Sequence, residues 1–370
     1  MSGIVTATSF VTTEGQISHR NIIINGACNI AQRGVSATSV SGQYKTVDRF
    51  SVNYGGEDED PTEAQHTLST SDTPYTLGFR KSFHITNGNQ TSGAGAADYV
   101  QPQYKIEAQD IANCGWNYTD SNSFITLSFW VKASVAGDYT LNMNTHDGTP
   151  YRYLMEYTLT ADTWKHVVFK IPGNSNLTVN NDNGLGLQIM WYPFLGSNYI
   201  QADQENNWYA SSNQKYGTTS TTNWWTTNDA TWEITGVQLE VGSVATPFEH
   251  RSFGDELSRC QRYFHIIKTG SGEEKYVGQL QVYASGNCHG KYFHFPVTMR
   301  AIPTTTLSGT ITPTNASGNF SSNFSTATFD RNTTEFVGSN NTSGSSGLTA
   351  GNTAAIGLRP NSSISSSAEL

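Results

Sequence analysis

The segment from Gly196 to Thr231 concentrates aromatic rings among amide and hydroxyl side chains. Sugar rings present apolar C–H faces that stack on exposed aromatic rings, while amides and hydroxyls match the hydrogen bonding of sugar hydroxyls. A segment of this length without a strong strand or helix pattern usually has a function. The candidate glycan-binding residues are Tyr199, Trp208, Tyr209, Trp224 and Trp225.

A second interpretation of this aromatic segment stays open. The rings could instead cover the edge of the folded domain or pack against a neighbouring subunit, since aromatic residues are equally favoured at protein interfaces. The residue types alone do not decide between a sugar-binding loop and an internal or intersubunit contact.

The densest acidic run offers a possible metal site. Glu57, Asp58 and Asp60 supply the carboxylate oxygens that calcium prefers, but the run lacks the spacing of an EF-hand, and acidic loops are usually only solvated. The nine histidines show no H-E-x-x-H or comparable spacing, and the four cysteines are far apart and indicate buried free thiols. We therefore expect no cofactor, with calcium as the one alternative.

Catalytic signatures are absent from the sequence. There is no G-x-S-x-G elbow, P-loop or credible dinucleotide fingerprint. Glu107 and Asp110 are a conceivable carboxylate pair for glycoside hydrolysis, although nothing in the sequence places them in a groove. No catalytic residue is predicted, and we expect a protein that is not an enzyme.

The composition excludes several other functions. Charged residues make up 14% of the 370 residues and aromatic residues 12%, the opposite of a disordered chain. A net charge of −9 argues against nucleic-acid binding, which requires an excess of Lys and Arg. No apolar stretch is long enough to span a bilayer, and Met1–Phe10 lacks the pattern of a signal peptide, so we expect synthesis in a cytoplasm and no membrane insertion.

The hydrophobic pattern indicates an all-β protein. Apolar residues alternate with polar ones in many short segments between Asn21 and Val241, without intervening helical patterns, which is typical of a sandwich or barrel. The alternation changes phase between Ile234 and Val237, and a β-bulge at Gly236 would restore the register.

The same pattern predicts four regions, in which a β-sandwich or barrel is followed by a short connector helix and a smaller C-terminal β domain. The C-terminal domain has few large apolar residues and would be marginal alone, which suggests oligomerisation. The regions are an N-terminal arm (1–20), the sandwich (21–250), the connector helix (251–265) and the C-terminal domain (266–370).

Several segments together resemble virion proteins of tailed phages, many of them from marine phages. They are Asn21–Gly34 (NIIINGACNIAQRG), Val47–Phe50 (VDRF), Leu127–Lys132 (LSFWVK), Trp232–Phe264, Phe295–Pro303 (FPVTMRAIP) and Ser366–Leu370 (SSAEL). The resemblance spans nearly the whole chain. Proteins of this group look like tail fibres or similar appendages, and their sandwich is similar to jelly-roll carbohydrate-binding modules. The resemblance therefore implies that residues 21–250 form a jelly-roll β-sandwich.

The resemblance implies a homotrimeric tail-fibre or appendage protein of the virion that binds a host surface glycan or receptor during adsorption. On this analogy the Thr-rich arm anchors the protein to other tail or capsid proteins. A capsid or tail decoration protein with a purely structural role is the alternative, and a glycan-degrading tailspike is the third possibility.

Overall fold

The computed structural model describes residues 19–211, 215–284, 287–314, 327, 329–343 and 349–370. The chain divides into two compact units, with the boundary between Phe253 and Gly254. Nearly all of the predicted N-terminal arm (1–20) lies outside the described residues. In the part of the chain that the structure describes, no helix combines the length and the apolar character that crossing a membrane requires.

The first unit is a β-sandwich of two antiparallel sheets. Its strands are β1 (Ser36–Thr38), β2 (Phe50–Gly55), β3 (Thr62–Thr67), β4 (Lys81–Thr86), β5 (Tyr99–Glu107), β6 (Phe124–Ala133), β7 (Gly137–Thr145), β8 (Tyr151–Leu159), β9 (Lys165–Pro172), β10 (Leu185–Tyr192), β11 (Phe194–Leu195), β12 (Trp208–Ala210) and β13 (Thr231–Val241). Three short helices connect them: α1 (Thr73–Thr76), α2 (Ala108–Ala112) and α3 (Thr222–Thr226).

Sheet I has six strands in the order β1-β3-β4-β13-β6-β9. Sheet II has seven strands in the order β11-β5-β10-β7-β8-β12, with β2 also pairing with β5. The predicted all-β class and the sandwich are confirmed. The period-two pattern predicts them because successive side chains of a strand point to opposite faces of its sheet.

Aromatic rings from both sheets meet in the core between them. Phe129 of β6 makes edge-to-face contacts with Tyr157 of β8 and Trp191 of β10, at ring-centroid distances of 5.7 and 5.8 Å. Edge-to-face pairs of this kind add about 0.5–1.5 kcal/mol beyond the burial of their area. The high aromatic content of the sequence is thus largely the filling of the sandwich.

The predicted bulge in β13 is confirmed. The pairing of β13 with β6 changes register between Thr235 and Gln238, and Gly236 at this point has a φ of +62°. A Cβ atom at Gly236 would lie 2.7 Å from the ring of Phe79. Both the left-handed backbone and the close ring therefore require glycine here.

The bulge also forms hydrogen bonds with the segment that contains Asn21 and Gly26. The backbone N–H of Val237 donates to the carbonyl of Gly26 at 2.9 Å, and the Asn21 side-chain amide donates to the Val237 carbonyl at 3.0 Å. A Cβ on Gly26 would lie 2.1 Å from that same carbonyl oxygen. Asn21 and Val237, which are 216 residues apart in the chain, are thereby joined by a hydrogen bond at the bulge.

The VDRF segment has a structural role too. The Asp48 carboxylate accepts a hydrogen bond from the backbone N–H of Gln32 at 3.0 Å. The buried Arg49 guanidinium donates to the Lys105 carbonyl at 2.7 Å and lies 5.5 Å from the centre of the Tyr104 ring. These residues hold the entry to β2 against β5.

The second unit is built of helix α4 and two smaller antiparallel sheets. It contains α4 (Phe253–Gln261), β14 (Phe264–Lys268), β15 (Lys275–Ala284), β16 (Asn287–His294), β17 (Thr304–Ser308), β18 (Ile311–Thr314), β19 (Phe336–Ser343), β20 (Thr353–Leu358) and β21 (Ser363–Ser367). The sheets have the orders β14-β21-β17 and β18-β20-β15-β16-β19. α4 lies within the predicted connector, and an additional β domain follows the sandwich as predicted.

Replacing Gly236 by alanine should destabilise the sandwich by about 1–3 kcal/mol, because alanine would be strained at positive φ and would collide with Phe79. Chemical denaturation followed by tryptophan fluorescence measures the effect on this unit alone, since all eight tryptophans lie within it. Gly34→Ala in the same unit is the matched control, because an added Cβ there meets only the Lys45 carbonyl oxygen at 3.5 Å, an ordinary van der Waals distance. An unfolding free energy equal to that of the control would contradict the role of the bulge.

A second stability feature is the carboxyl of Glu63 on β3, which is fully buried and accepts a hydrogen bond from the Thr46 hydroxyl at 3.0 Å. Burial raises the pKa of Glu63 from its ordinary value of 4.5 to about 7, and the Thr46 hydrogen bond offsets this only in part. The folded state therefore binds this proton more tightly than the unfolded chain does.

Glu63→Gln should accordingly flatten the pH dependence of stability. Neutral Glu63 contributes its full share to the free energy of unfolding below the ordinary pKa, and this share is lost as the pH rises through about 7. In the unmodified protein it should differ by about 2 kcal/mol between about pH 5.5 and about pH 8. Denaturation curves at these two pH values, with the exposed Glu205→Gln as control, measure it. A variant that loses as much stability between these pH values as the unmodified protein would refute this assignment.

Candidate functional site

The outer face of sheet II carries a row of amide side chains, which we call the amide face. It comprises Gln101 and Gln103 of β5, Asn142 and Asn144 of β7, and Gln188 of β10. Their neighbours along each strand belong to the hydrophobic core. Because side chains alternate across a strand, the amides must project from the opposite, outer face.

Hydrogen bonds join these amides into a network. The Gln103 side-chain oxygen accepts from Gln101 at 3.2 Å and from Gln188 at 2.5 Å. Nε2 of His146 lies 2.9 Å from the Gln188 side-chain oxygen and 3.0 Å from the Asn144 amide nitrogen. Burial lowers the pKa of His146, which favours the neutral imidazole. The network is ordered and polar, and the Arg152 guanidinium of β8 joins it by donating to the Asn144 side-chain oxygen at 3.3 Å.

A cavity of about 210 Å³ opens at one end of the amide face, and we call it the tyrosine cavity. It is lined by Tyr99, Gln101, Tyr192, Leu195, Tyr199 and Tyr216. The Tyr199 ring centre lies 5.6 Å from that of Tyr216 and 6.0 Å from that of Tyr99, to which it is perpendicular. Three half-buried rings thus form its walls.

The hydroxyl of Tyr192 contributes a polar group at the base of the cavity. It accepts a hydrogen bond from the Asn142 amide at 3.2 Å and donates to the Gln101 side-chain oxygen at 3.3 Å. Burial raises the pKa of Tyr192, so the hydroxyl stays protonated and keeps its donor. The amide face therefore orients the polar groups of the tyrosine cavity.

An arginine positions one wall of the cavity. The Arg152 guanidinium of β8 lies 4.2 Å from the centre of the Tyr216 ring and donates to the carbonyl of Lys215. The Asn142 amide donates to the Tyr216 carbonyl at 2.6 Å. Two strands of sheet II thereby hold the segment that carries Tyr216.

Among the predicted glycan-binding residues, Tyr199 lines the tyrosine cavity. Tyr209 is half-buried on β12, and its hydroxyl donates to the Lys215 carbonyl at 2.7 Å, next to the residue that forms the cavity wall. Trp208 is buried against Tyr153, with 5.2 Å between ring centres, and its indole N–H donates to the Pro172 carbonyl. Trp208 therefore belongs to the core.

The structure also corrects the assignment of Trp224 and Trp225. Both side chains of α3 are completely buried, and their indole N–H groups donate to the carbonyls of Thr231 and Gly93, at 3.0 and 2.7 Å. The Trp225 ring lies 4.7 Å from Phe194. Because no ring face is exposed, neither tryptophan offers a stacking surface. Both agree with the second interpretation, in which the rings cover the edge of the folded domain.

The acidic candidates for calcium do not converge. Asp58 accepts hydrogen bonds from the backbone and hydroxyl of Ser92 at 2.6 and 2.5 Å, which lower the pKa of its carboxyl. Desolvation, with Asp60 nearby, raises the pKa of Glu57. Among the described residues, Glu57, Asp58 and Asp60 do not form a group whose ligand atoms all lie within 4.8 Å of one another.

Five lining residues were not among the predicted candidates, and one of them, Tyr216, lies within the predicted segment. The other four are Tyr99, Gln101, Tyr192 and Leu195. A usable signal was present, because five outward positions of β5, β7 and β10 carry amides where a solvated sheet commonly has charged residues. Amide positions repeated on paired strands indicate an ordered polar network.

Comparison with known proteins finds no matching family and no matching curated protein. Similar solved structures include the enzymatically active domain of tailspike protein 4 of bacteriophage CBA120, with 11% identity, a TM-score of 0.33 and coverage of 60% of this chain and 21% of that one. This chain thus spans only about a fifth of that tailspike domain (21%).

Two further similar structures are a carbohydrate-binding module and a cyclase. A family 11 carbohydrate-binding module of a cellulosomal cellulase from Clostridium thermocellum is 12% identical, with a TM-score of 0.27 and coverage of 58% of this chain and 98% of the module. A cyclase from Fischerella sp. TAU is 7% identical, with a TM-score of 0.33 and coverage of 63% and 98%. At these scores the similarities carry no functional argument.

Trp225→Ala should destabilise the sandwich by about 3–5 kcal/mol, because it removes a buried ring and leaves the Gly93 carbonyl without its donor. Denaturation followed by the fluorescence of the remaining tryptophans measures the loss. Leu77→Ala, a truncation of a side chain that is 50% exposed in the same unit, is the control. A loss no larger than that of the control would show that Trp225 is not part of the core.

Proposed function

We propose that this protein binds an uncharged glycan in the tyrosine cavity and thereby attaches a phage virion to the host surface, as part of a tail fibre or similar appendage. The observation that carries the proposal is a cavity with tyrosine rings for walls and an amide and a hydroxyl at its base. Rings stack on the C–H faces of a sugar, and the polar groups pair with its hydroxyls.

The lining selects the kind of glycan. The six residues around the cavity carry no formal charge, so a sulfated or strongly acidic sugar would find no counter-ion among them. At about 210 Å³ the cavity is smaller than the pockets of about 300–1,000 Å³ that enclose drug-sized molecules. We infer that it holds one sugar residue of a longer chain.

The lining of the tyrosine cavity fits glycan binding better than glycan cleavage. Glycoside hydrolysis generally uses two carboxyl groups flanking the scissile bond. None of the described residues that line the tyrosine cavity is an aspartate or a glutamate. We therefore infer a role without catalysis.

The virion part of the proposal is supported by the sequence resemblance to phage appendage proteins. A homotrimer would supply the small second unit with additional buried surface, and three copies of a weak site would increase avidity. Residues 1–20 would anchor the protein to other tail or capsid proteins.

Tyr199→Ala should weaken glycan binding about tenfold, or about 1.4 kcal/mol, because it removes one wall of the cavity. A glycan array with the unmodified protein identifies a ligand, and calorimetry with that ligand compares the variants. Tyr199→Phe keeps the ring and should bind nearly as the unmodified protein does. Tyr276→Ala removes an equally large side chain, 70% exposed in the second unit, and should leave the affinity unchanged.

A phage adsorption assay distinguishes host binding from the two alternative functions, a decoration protein and a tailspike enzyme. Purified protein, or an antibody against it, should block attachment of the phage while particles remain intact. Unstable particles with normal attachment would instead indicate a decoration protein, and release of sugars from host envelopes a tailspike enzyme. Sedimentation analysis tests the homotrimer, and a monomer that is absent from purified virions would refute the appendage role.

A further inference from the structure

Three polar side chains meet on the outer face of sheet I, on the side of the sandwich opposite to the amide face. They are His66 of β3, His84 of β4 and Glu233 of β13. In the sheet register Glu233 lies directly opposite His84, and His66 lies opposite Ser82, two residues further along β4. Three adjacent antiparallel strands thus bring these groups to one place.

The spacing of their ligand atoms is that of a metal site. Nδ1 of His66 and Nδ1 of His84 lie 3.1 and 3.5 Å from the same carboxylate oxygen of Glu233, and all three ligand atoms lie within 4.8 Å of one another. With metal–ligand bonds of about 2.0–2.1 Å, the ligands of a tetrahedral zinc ion are about 3.3 Å apart. The observed spacings need only small side-chain adjustments to enclose an ion.

We propose that His66, His84 and Glu233 bind one divalent transition-metal ion of the zinc type, with three protein ligands and a fourth position open to water. Imidazole nitrogen and carboxylate oxygen are ligands that zinc accepts. The His66 side chain is 51% exposed, so the ion has a route of entry, while the Glu233 side chain is only 2% exposed and is held in place.

The groups around Glu233 are those that orient a ligand carboxylate. Lys132 lies 2.7 Å from its other oxygen, and the Ser82 hydroxyl donates to the ligating oxygen at 2.8 Å. Hydrogen-bonded supports of this kind fix the ligands of metal sites. The Lys132 ammonium also lies 3.6 Å from a carboxylate oxygen of Asp72. Two carboxylates therefore face one ammonium, and these three side chains together keep a net negative charge that attracts a cation.

Asp72 is itself held by the core. Its carboxylate accepts a hydrogen bond from the Trp164 indole at 2.8 Å, and the Lys132 ammonium lies 5.0 Å from the Trp164 ring. Glu233 lies on β13 between its regular partners His84 of β4 and Lys132 of β6. An ion here would tie β3, β4 and β13 together.

The untagged full-length protein, stripped with a chelator and transferred to metal-free buffer near pH 7.5, should take up one equivalent of Zn²⁺ in calorimetry. Co²⁺ should give the intense visible absorption of a tetrahedral complex. His66→Ala should weaken Zn²⁺ binding by more than about 100-fold, because it removes a ligand rather than one of the surrounding supports, whose loss costs about 10–100-fold. His84→Ala should do the same.

Two matched variants test the location. His166→Ala removes an exposed histidine of β9 in the same sheet, and Cys114→Ala removes the cysteine that is not fully buried; both should bind Zn²⁺ like the unmodified protein. Tryptophan fluorescence confirms folding of each variant. The proposal is overturned if the unmodified protein shows no saturable uptake, or if folded His66→Ala and His84→Ala bind as tightly as it does; the three residues are then an ion-pair cluster alone.

Discussion

The interruption of β13 at Gly236 is the constraint on which the sandwich depends. A regular strand would direct the N–H and carbonyl of Val237 to its sheet neighbours, whereas the bulge directs them to Gly26 and Asn21. Asn21 and Gly26 are thereby fixed beside a central strand of sheet I. Neither close approach leaves room for a larger side chain, since added Cβ atoms would collide with Phe79 or with the Val237 carbonyl.

The two faces of the sandwich follow from this ordered core. The inward residues are aromatic and aliphatic and pack closely, which fixes the backbones of the strands. The outward side chains are therefore attached at fixed points. On sheet II these positions carry amides that orient Tyr192, and Arg152 holds the wall formed by Tyr216. On sheet I they carry His66, His84 and Glu233. The His66, His84 and Glu233 cluster is thus built entirely on strands, which position side chains more accurately than loops do, and hydrogen bonds from sheet II hold the loop segment that completes the tyrosine cavity.

Strands, sandwich and bulge could be predicted because they depend on local alternation, which the printed residues display directly. The residues of the proposed glycan-binding site could not be predicted in this way, because an aromatic ring in a polar segment is compatible with either burial or exposure. Trp224 and Trp225 illustrate this: polar neighbours suggested exposed rings, yet each indole finds a backbone acceptor that makes complete burial favourable. Tyr199, in the same segment, is left at the cavity because its neighbours Tyr99 and Tyr216 cover only part of the ring.

The sequence by itself determined the all-β class, the order of the two β units and the position of the bulge, since each depends on residues that are close together in the chain. Only the tertiary structure decided which rings are buried and which side chains meet. Glu233 lies 167 residues from His66 and 149 from His84, and only the pairing of β13 and β3 on either side of β4 brings them together. Contacts of that kind are set by strand order and register, which no spacing of residues along the chain records.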